Sequence, residues 1–384
     1  MSGLPTRADS AGGARGIVER IVVGMSGGVD SSVAAALLVE RGHEVVGVTL
    51  RVWPWQESAD PVGRFGSCCS FEATDGARQV ARSLGIPHYL LNAEDEFARV
   101  VIGPFADAYR RGSTPVPCVS CNKDLKFGSL LRRARAWDAA AVATGHYARI
   151  TQDAATGRSL LWRGRDARKD QSDFLWPLTQ EQLAAARFPV GDLTKDEVRE
   201  HARRLDLATA EAPESQELCF IPDHDYRGFL RRRRPDAFQP GAIVDGDGRV
   251  VGAHSGVANY TIGQRKGLGL ASAEPVYVVD LDPDTDTVRV GPAESLERVR
   301  LLATSVNFIA CAPPELPLAV TAKIRHNHAP APATVRMVDP GTAEVVFQEP
   351  QRAITPGQSV VWYQGDCVVG GGVIVRQPEP SRGR

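Results

Sequence analysis

The 384-residue sequence contains no apolar run near the roughly 20 residues that cross a bilayer, so it offers no spanning helix. Its first sixteen residues also lack the apolar centre of a secretory signal; small, polar and glycine-rich, they read as a disordered leader, with folding expected from about Ile17. Charge of one sign is missing too. Lys and Arg number 45 against 46 Asp and Glu, a net charge of -1, so attraction for nucleic acid would have to come from local basic patches. Cysteine is sparse, at seven scattered residues, an odd count that argues against a disulfide scaffold and for a reducing compartment in which thiols react or bind metal. No long-period repeat is visible. What is present, 43% hydrophobic and 24% charged residues, is an ordinary globular composition on a chain long enough for two or three domains.

The chain is organised around Ser26-Gly27-Gly28-Val29-Asp30-Ser31-Ser32, between the apolar run Ile21–Val23 and the helix-like Val33–Val39. It reads as strand, anion-binding loop and helix, in which glycines admit close backbone approach and the helix N-terminus supplies N–H groups and its dipole. A plain turn capped by Asp30 or Ser31 would look similar. No Lys follows the glycines and no G-x-G-x-x-G occurs, which excludes the usual nucleotide P-loop and the dinucleotide fingerprint. Strand-like runs then alternate with helical ones: Glu44–Val52, Thr74–Leu84, His88–Asn92, Glu94–Tyr109, Lys123–Trp137 and Ala140–Thr144. The expected fold is α/β, a doubly wound parallel sheet over residues 17–222 with its ligand at the carboxyl ends of the strands. A small central domain follows over 223–285, then a C-terminal β-barrel over 286–376 and a tail over 377–384.

Cys121 lies in Cys118-Val119-Ser120-Cys121-Asn122-Lys123, just after Thr114-Pro115-Val116-Pro117, with a helix expected from about Lys123. A helix N-terminus and a nearby Lys lower a thiol pKa, although a buried structural cysteine fits the same residues. Cys219, before Phe220-Ile221-Pro222, reads equally as an inert thiol in an apolar strand. Arg231–Arg234 is either a phosphate patch or the solvated face of a helix. His146 reads alternatively as a satisfied histidine at a strand end, and Lys169-Asp170 as a surface ion pair.

The loop resembles that of the ATP pyrophosphatases, and the ordered set of motifs resembles tRNA-specific 2-thiouridylases. The motifs are Gly24–Ser32, Cys121-Asn122-Lys123 with Lys126-Phe127, Thr144–Arg149, Lys169–Ser172 with Phe174-Leu175, Ser215–Pro222 and Tyr260–Leu270. The resemblance implies that ATP activates the 2-oxygen of the wobble uridine as an adenylate, that pyrophosphate leaves into the loop, and that sulfur displaces AMP. It assigns ATP contacts to Gly24, Met25, Ser26, Gly27, Gly28, Val29, Asp30, Ser31, Leu50 and Gly145. Contacts with tRNA fall to His146, Lys169, Asp170, Gln171, Arg325, His326 and Gln358, with Cys219 as persulfide carrier and Cys121 as its disulfide partner. Asp30 is the expected magnesium ligand, since a hard carboxylate oxygen beside polyphosphate suits that ion.

One departure stands out: where the family often carries Asp three residues before the first catalytic cysteine, this chain has Cys118. Cys118, Cys121 and Cys219 could therefore hold an iron-sulfur cluster, and zinc completed by Cys68 or Cys69 is a weaker option. The expected partners are tRNA, through its anticodon arm, and a sulfur donor, with the protein a monomer. A leader with Asp9 and only two arginines makes a poor transit peptide, so the bacterial cytoplasm is expected over an organelle. The competing functions are an amide-forming adenylating synthetase, which has no use for paired cysteines, and a tRNA-binding protein without catalysis.

Overall fold

The computed structural model describes residues 18–53, 71–213, 218–221 and 225–376. The expected leader and tail, Cys68, Cys69, Ser215–Glu217 and Pro222 lie outside the described residues. Chain packing divides into two units, one comprising Met1–Asn92, Lys126–Ser172 and Thr179–Glu214, the other Ala93–Leu125, Asp173–Leu178 and Ser215–Arg384.

The first unit is built on a parallel sheet. Strands β1 (Arg20–Gly24), β2 (Glu44–Arg51), β3 (His88–Asn92) and β4 (Ala141–Ala143) are followed by the hairpin β5 (Ala148–Gln152) and β6 (Ser159–Arg163), and by β7 (Ala186–Arg187). The parallel sheet runs in the order β3-β2-β1-β4-β7, so β1 lies at its centre and is fully buried over Ile21–Val23. Helix α1 (Val29–Glu40) is buried around most of its circumference, which its run of Val, Ala and Leu anticipates. It shares one core with β1, Ala77 and Val80 of α2 (Phe71–Ser83), and Val198 and Ala202 of the helix Lys195–Arg204. This is the expected doubly wound arrangement, with the first loop at the carboxyl edge of the central strand.

The second unit holds the rest. A helix runs through Glu94–Arg110 with a π-helical segment at Ala98–Ile102, and another from Pro117 to Arg135 is π-helical over Cys121–Ser129. Of the second helix, only the portion to Leu125 belongs to this unit. The small central sheet, β8 (Gly241–Val244), β9 (Val250–His254), β10 (Tyr277–Asp282) and β11 (Thr287–Gly291), has the order β10-β11-β8-β9 around Ile243, Val278, Val288 and Val290. Strands β12 (Glu297–Phe308), β13 (Leu318–Lys323), β14 (Ala331–Asp339), β15 (Thr342–Arg352), β16 (Ser359–Gln364) and β17 (Cys367–Val375) pair in the order β12-β15-β14-β13-β16-β17. An antiparallel β12–β17 ladder closes them into a barrel, leaving no open edge, with Trp362, Val335 and Val345 fully buried inside.

The Arg231–Arg234 block is resolved by this packing. Arg231 lies over the Phe238 ring at 5.0 Å, Arg233 over Phe229 at 5.8 Å, and Arg234 pairs with Asp107. Arg231, Arg232 and Arg233 are all exposed on the helix Tyr226–Arg233, in keeping with the solvated-face reading, while Arg234 ties that helix's end to Asp107.

Candidate active site

The loop after β1 departs from a capped turn. Gly28 precedes α1 without any side-chain cap, and the hydroxyls of Ser31 and Ser32 turn back onto its carbonyl at 3.0 and 2.9 Å. Ser26 N–H donates to Ser31 Oγ at 3.2 Å. Among the described residues, no side-chain cap thus claims the first N–H groups of this twelve-residue helix, the condition for an anion site. Two glycines are sterically required. Gly27 has φ +74°, and a Cβ there would sit 2.0 Å from the Ala73 carbonyl oxygen; one on Gly145 would fall 2.6 Å from the Asp30 and Ser31 backbone.

Asp30 is not a cap either. Its carboxylate accepts from Lys195 Nζ at 2.7 and 2.9 Å and from the Tyr147 hydroxyl at 2.7 Å. Lys195 is 6% exposed and stands at the first position of its helix, after Thr194, which forms a capping box with Glu197. Its ammonium also lies 5.9 Å from the centre of the Tyr147 ring. Neither Lys195 nor Tyr147 was singled out from sequence. The available signal was a lysine in a helix first turn, where the dipole disfavours a cation and so asks for an anionic partner.

Around this corner the resemblance-derived residues are placed unevenly. Leu50 is partly buried on β2. His146 is buried after β4, its Nδ1 2.7 Å from Thr144 Oγ1 and its ring beside Phe127 and Phe188, as in the satisfied-histidine reading. Asp170 is 7% exposed and spends its oxygens on Gly164 N–H and on the backbone and hydroxyl of Ser172, so it fixes its own turn. Gln171 exchanges backbone and side-chain bonds with Tyr147, tying that stretch to the residue that touches Asp30, while Lys169 is half-buried.

Burial, and then the charge of Lys126, holds the His146 imidazole well below its ordinary pKa; burial, and then Arg78, lowers His88. Both histidines therefore bind a proton less readily in the fold than in the unfolded chain. Their contribution to stability is complete above the ordinary value of 6.5 and declines as the pH falls below it. Thermal melts should therefore show the midpoint dropping between about pH 7 and pH 5, less steeply in His146→Gln. A midpoint that is flat or rises on acidification contradicts this.

In the second unit, the helix carrying the first thiols starts earlier than expected. Val116 is its extended N-cap and Pro117 its first residue, because the fixed φ of proline suits a helix start. Cys118 thus occupies the exposed first turn, and Cys121 lies where the α-helix becomes π-helical rather than at the N-terminus. Pro117–Ser120 packs on Ala98–Ile102, and Phe220, next to Cys219, packs edge-on against Phe97 and Phe105. Both thiol-bearing segments therefore rest on the same helix, Cys121 and Cys219 each half-buried. Asn122 is 1% exposed and donates to the Phe174 carbonyl at 3.2 Å.

The barrel residues also reach this helix approach. Gln358 donates to the Thr114 carbonyl at 2.8 Å, and Thr114 N–H donates to Pro356 at 2.8 Å, so the loop before β16 grips the stretch leading to Cys118. Arg325 is exposed, with a guanidinium bond to the Arg352 carbonyl at 3.3 Å. His326 is half-exposed and meets Asp173.

Among the described residues, no three His, Cys, Asp or Glu side chains gather as a metal-holding group. Cys118, Cys121 and Cys219 do not fit a cluster cradle as they are arranged here. Asp30 fits magnesium only as a single carboxylate ligand, and it is already engaged by Lys195.

Three domain-family models match in succession: a tRNA methyl transferase HUP domain over residues 19–223, a tRNA methyl transferase PRC-barrel domain over 227–292 and an aminomethyltransferase β-barrel domain over 298–374. In class, the chain is thus a HUP-domain protein with two appended β domains. It belongs to the family of tRNA-specific 2-thiouridylases. It is 54% identical to such a protein of Heliobacterium modesticaldum over 93% of each chain. It is also 54% identical to one of Moorella thermoacetica over 92% of this chain and 98% of the relative.

Proposed function

We propose that this chain is an ATP-dependent tRNA sulfurtransferase that converts the wobble uridine to 2-thiouridine. Supporting this are near-full-length similarity to relatives of that name and, in the geometry, an uncapped helix N-terminus beside a buried lysine. In the first step the uracil 2-oxygen attacks the α-phosphorus of ATP, the bond to the β-phosphate breaks, and pyrophosphate departs. Gly27–Ser31 backbone N–H groups and the Lys195 ammonium are the groups that can meet its charge. Asp30 and Tyr147 hold that ammonium in place. Asp30 is also the residue that would hold magnesium, whose chemistry is to neutralise phosphate charge beside the substrate oxygens.

In the second step, the terminal sulfur of a persulfide on Cys219 attacks C2 and AMP leaves with the former 2-oxygen. Cys121 thiolate then attacks Cys219 Sγ, the S–S bond of the persulfide breaks, and the sulfur stays on the base as Cys121 and Cys219 join in a disulfide. A thiol reductant must return the two electrons before the next turnover. The sulfur enters from a donor protein's persulfide, whose outer sulfur the Cys219 thiolate takes as the donor thiolate leaves; a sulfide source would instead open the Cys121–Cys219 disulfide itself, giving Cys219 persulfide and Cys121 thiolate in place of that reductant.

Purified protein given unmodified tRNA, ATP, magnesium and a sulfide or persulfide source should yield 2-thiouridine on digestion and mass spectrometry. Uridine left unchanged throughout overturns the proposal. Because Cys118 is exposed and has no role in this relay, Cys118→Ser should keep most of the activity in enzyme purified in air. Activity that collapses in this variant and tracks bound iron in the wild type would replace the relay with a cluster.

A further inference from the structure

Asp173 is a buried carboxylate held between a lysine and a histidine, of which the histidine remains at the surface. It lies in the 3-10 turn Ser172–Phe174, is 5% exposed, forms an ion pair with Lys323 Nζ at 3.2 Å and accepts from His326 Nδ1 at 3.0 and 3.2 Å. Lys323, at the end of β13, is itself 9% exposed, so its charge is consumed inside the unit. The His326 side chain, by contrast, stays 42% exposed while its ring stacks on Phe174 at 4.6 Å and 32°.

This arrangement fixes more than the place of the ring. An ionised carboxylate only accepts hydrogen bonds, so the imidazole hydrogen belongs on Nδ1, and in the neutral ring Nε2 becomes the acceptor. Tautomer and tilt are set before any ligand arrives, which removes an ordering cost from binding. Beside it, Arg325 is exposed and steered by the Arg352 carbonyl, and Arg352 lies over the Tyr277 ring at 4.7 Å. A preset imidazole next to a guanidinium suits RNA, the first for a ribose hydroxyl or base amine and the second for phosphate.

We infer that Asp173 is a positioning residue for RNA binding: it pins His326 through Nδ1 so that the ring meets tRNA in one orientation, with Lys323 as its internal counter-charge. The inference rests on the tRNA reading above. Fluorescence anisotropy with unmodified tRNA transcript tests it. Asp173→Asn and His326→Ala should each weaken binding about tenfold, the contribution of one ordered aromatic contact. The double variant should bind no more weakly than His326→Ala, and the KM for ATP should not move. In ¹⁵N spectra of the ring, the Nδ1–H tautomer should be present in the wild type and lost in Asp173→Asn.

Wild-type affinity in Asp173→Asn, or losses that add in the double variant, overturns the positioning role. Should Asp173→Asn fail to fold, Asp173→Asn/Lys323→Met removes both buried charges together, and wild-type affinity there overturns it equally. Thiolation by the wild type is scored separately. Product formed with both His326 and Asp173 variants binding normally refutes this inference alone, whereas tight tRNA binding without any thiouridine refutes the function.

Discussion

Lys195→Met should lower ATP-dependent pyrophosphate release by about 100-fold or more, the scale of losing one charged group from a transition-state site. Methionine keeps most of the stem of a side chain that is 8% exposed, so the change removes charge rather than volume. It also leaves Asp30 with only the Tyr147 hydroxyl of the two groups that hold it, and some loss of stability follows; because Asp30 is about a third exposed, that loss falls short of a fully buried pair's. Lys195→Met/Asp30→Asn separates the two effects. Its melting temperature should recover while pyrophosphate release does not. Release at the wild-type rate in Lys195→Met would remove this lysine from the chemistry.

Cys219→Ser should abolish 2-thiouridine formation, by a factor on the order of 10³ or more, while pyrophosphate release persists. A serine hydroxyl cannot store sulfane sulfur, whereas Asp30 and Lys195, the residues assigned to adenylation, belong to the first unit. The variant should therefore consume ATP on tRNA without a thiolated product, its adenylate lost to water. Thiouridine made at the wild-type rate would show that sulfur reaches the base without Cys219. Release of pyrophosphate and product failing together would instead tie the thiol to adenylation.

What could be read from the sequence was whatever depends on neighbours along the chain. The Ser26–Ser32 corner was legible because strand, glycines and helix are contiguous, and the parallel sheet because its apolar runs alternate with helices. Tyr147 and Lys195 were not, since they meet Asp30 from 117 and 165 residues away. The start of the thiol-bearing helix was misplaced at Lys123 because prolines around Val116 suggested extended chain, yet Pro117 begins the helix. Within the expected barrel, strand β12 carries little sequence signal of its own, because its first four residues, Glu297–Arg300, are all exposed and show no alternation. Among the expected RNA contacts, the bonds by which Asp170 braces its own turn at Gly164 and Ser172 were not legible, because a motif names a residue without giving its hydrogen-bond partners.

The division of the chain into interleaved units bears on how the protein is made. Ala93–Leu125, with Cys118 and Cys121, leaves the ribosome early, but its packing partners, Phe220 next to Cys219 and the barrel loop that binds Thr114, are synthesised later. The first unit has its last strand and helix by Glu214, so it can fold while the thiol segment still waits. A nascent or prematurely terminated chain would then acquire the nucleotide corner without finishing the thiol site. On the proposed mechanism such a fragment would spend ATP without delivering sulfur, which makes the integrity of the C-terminal barrel a condition for the second step.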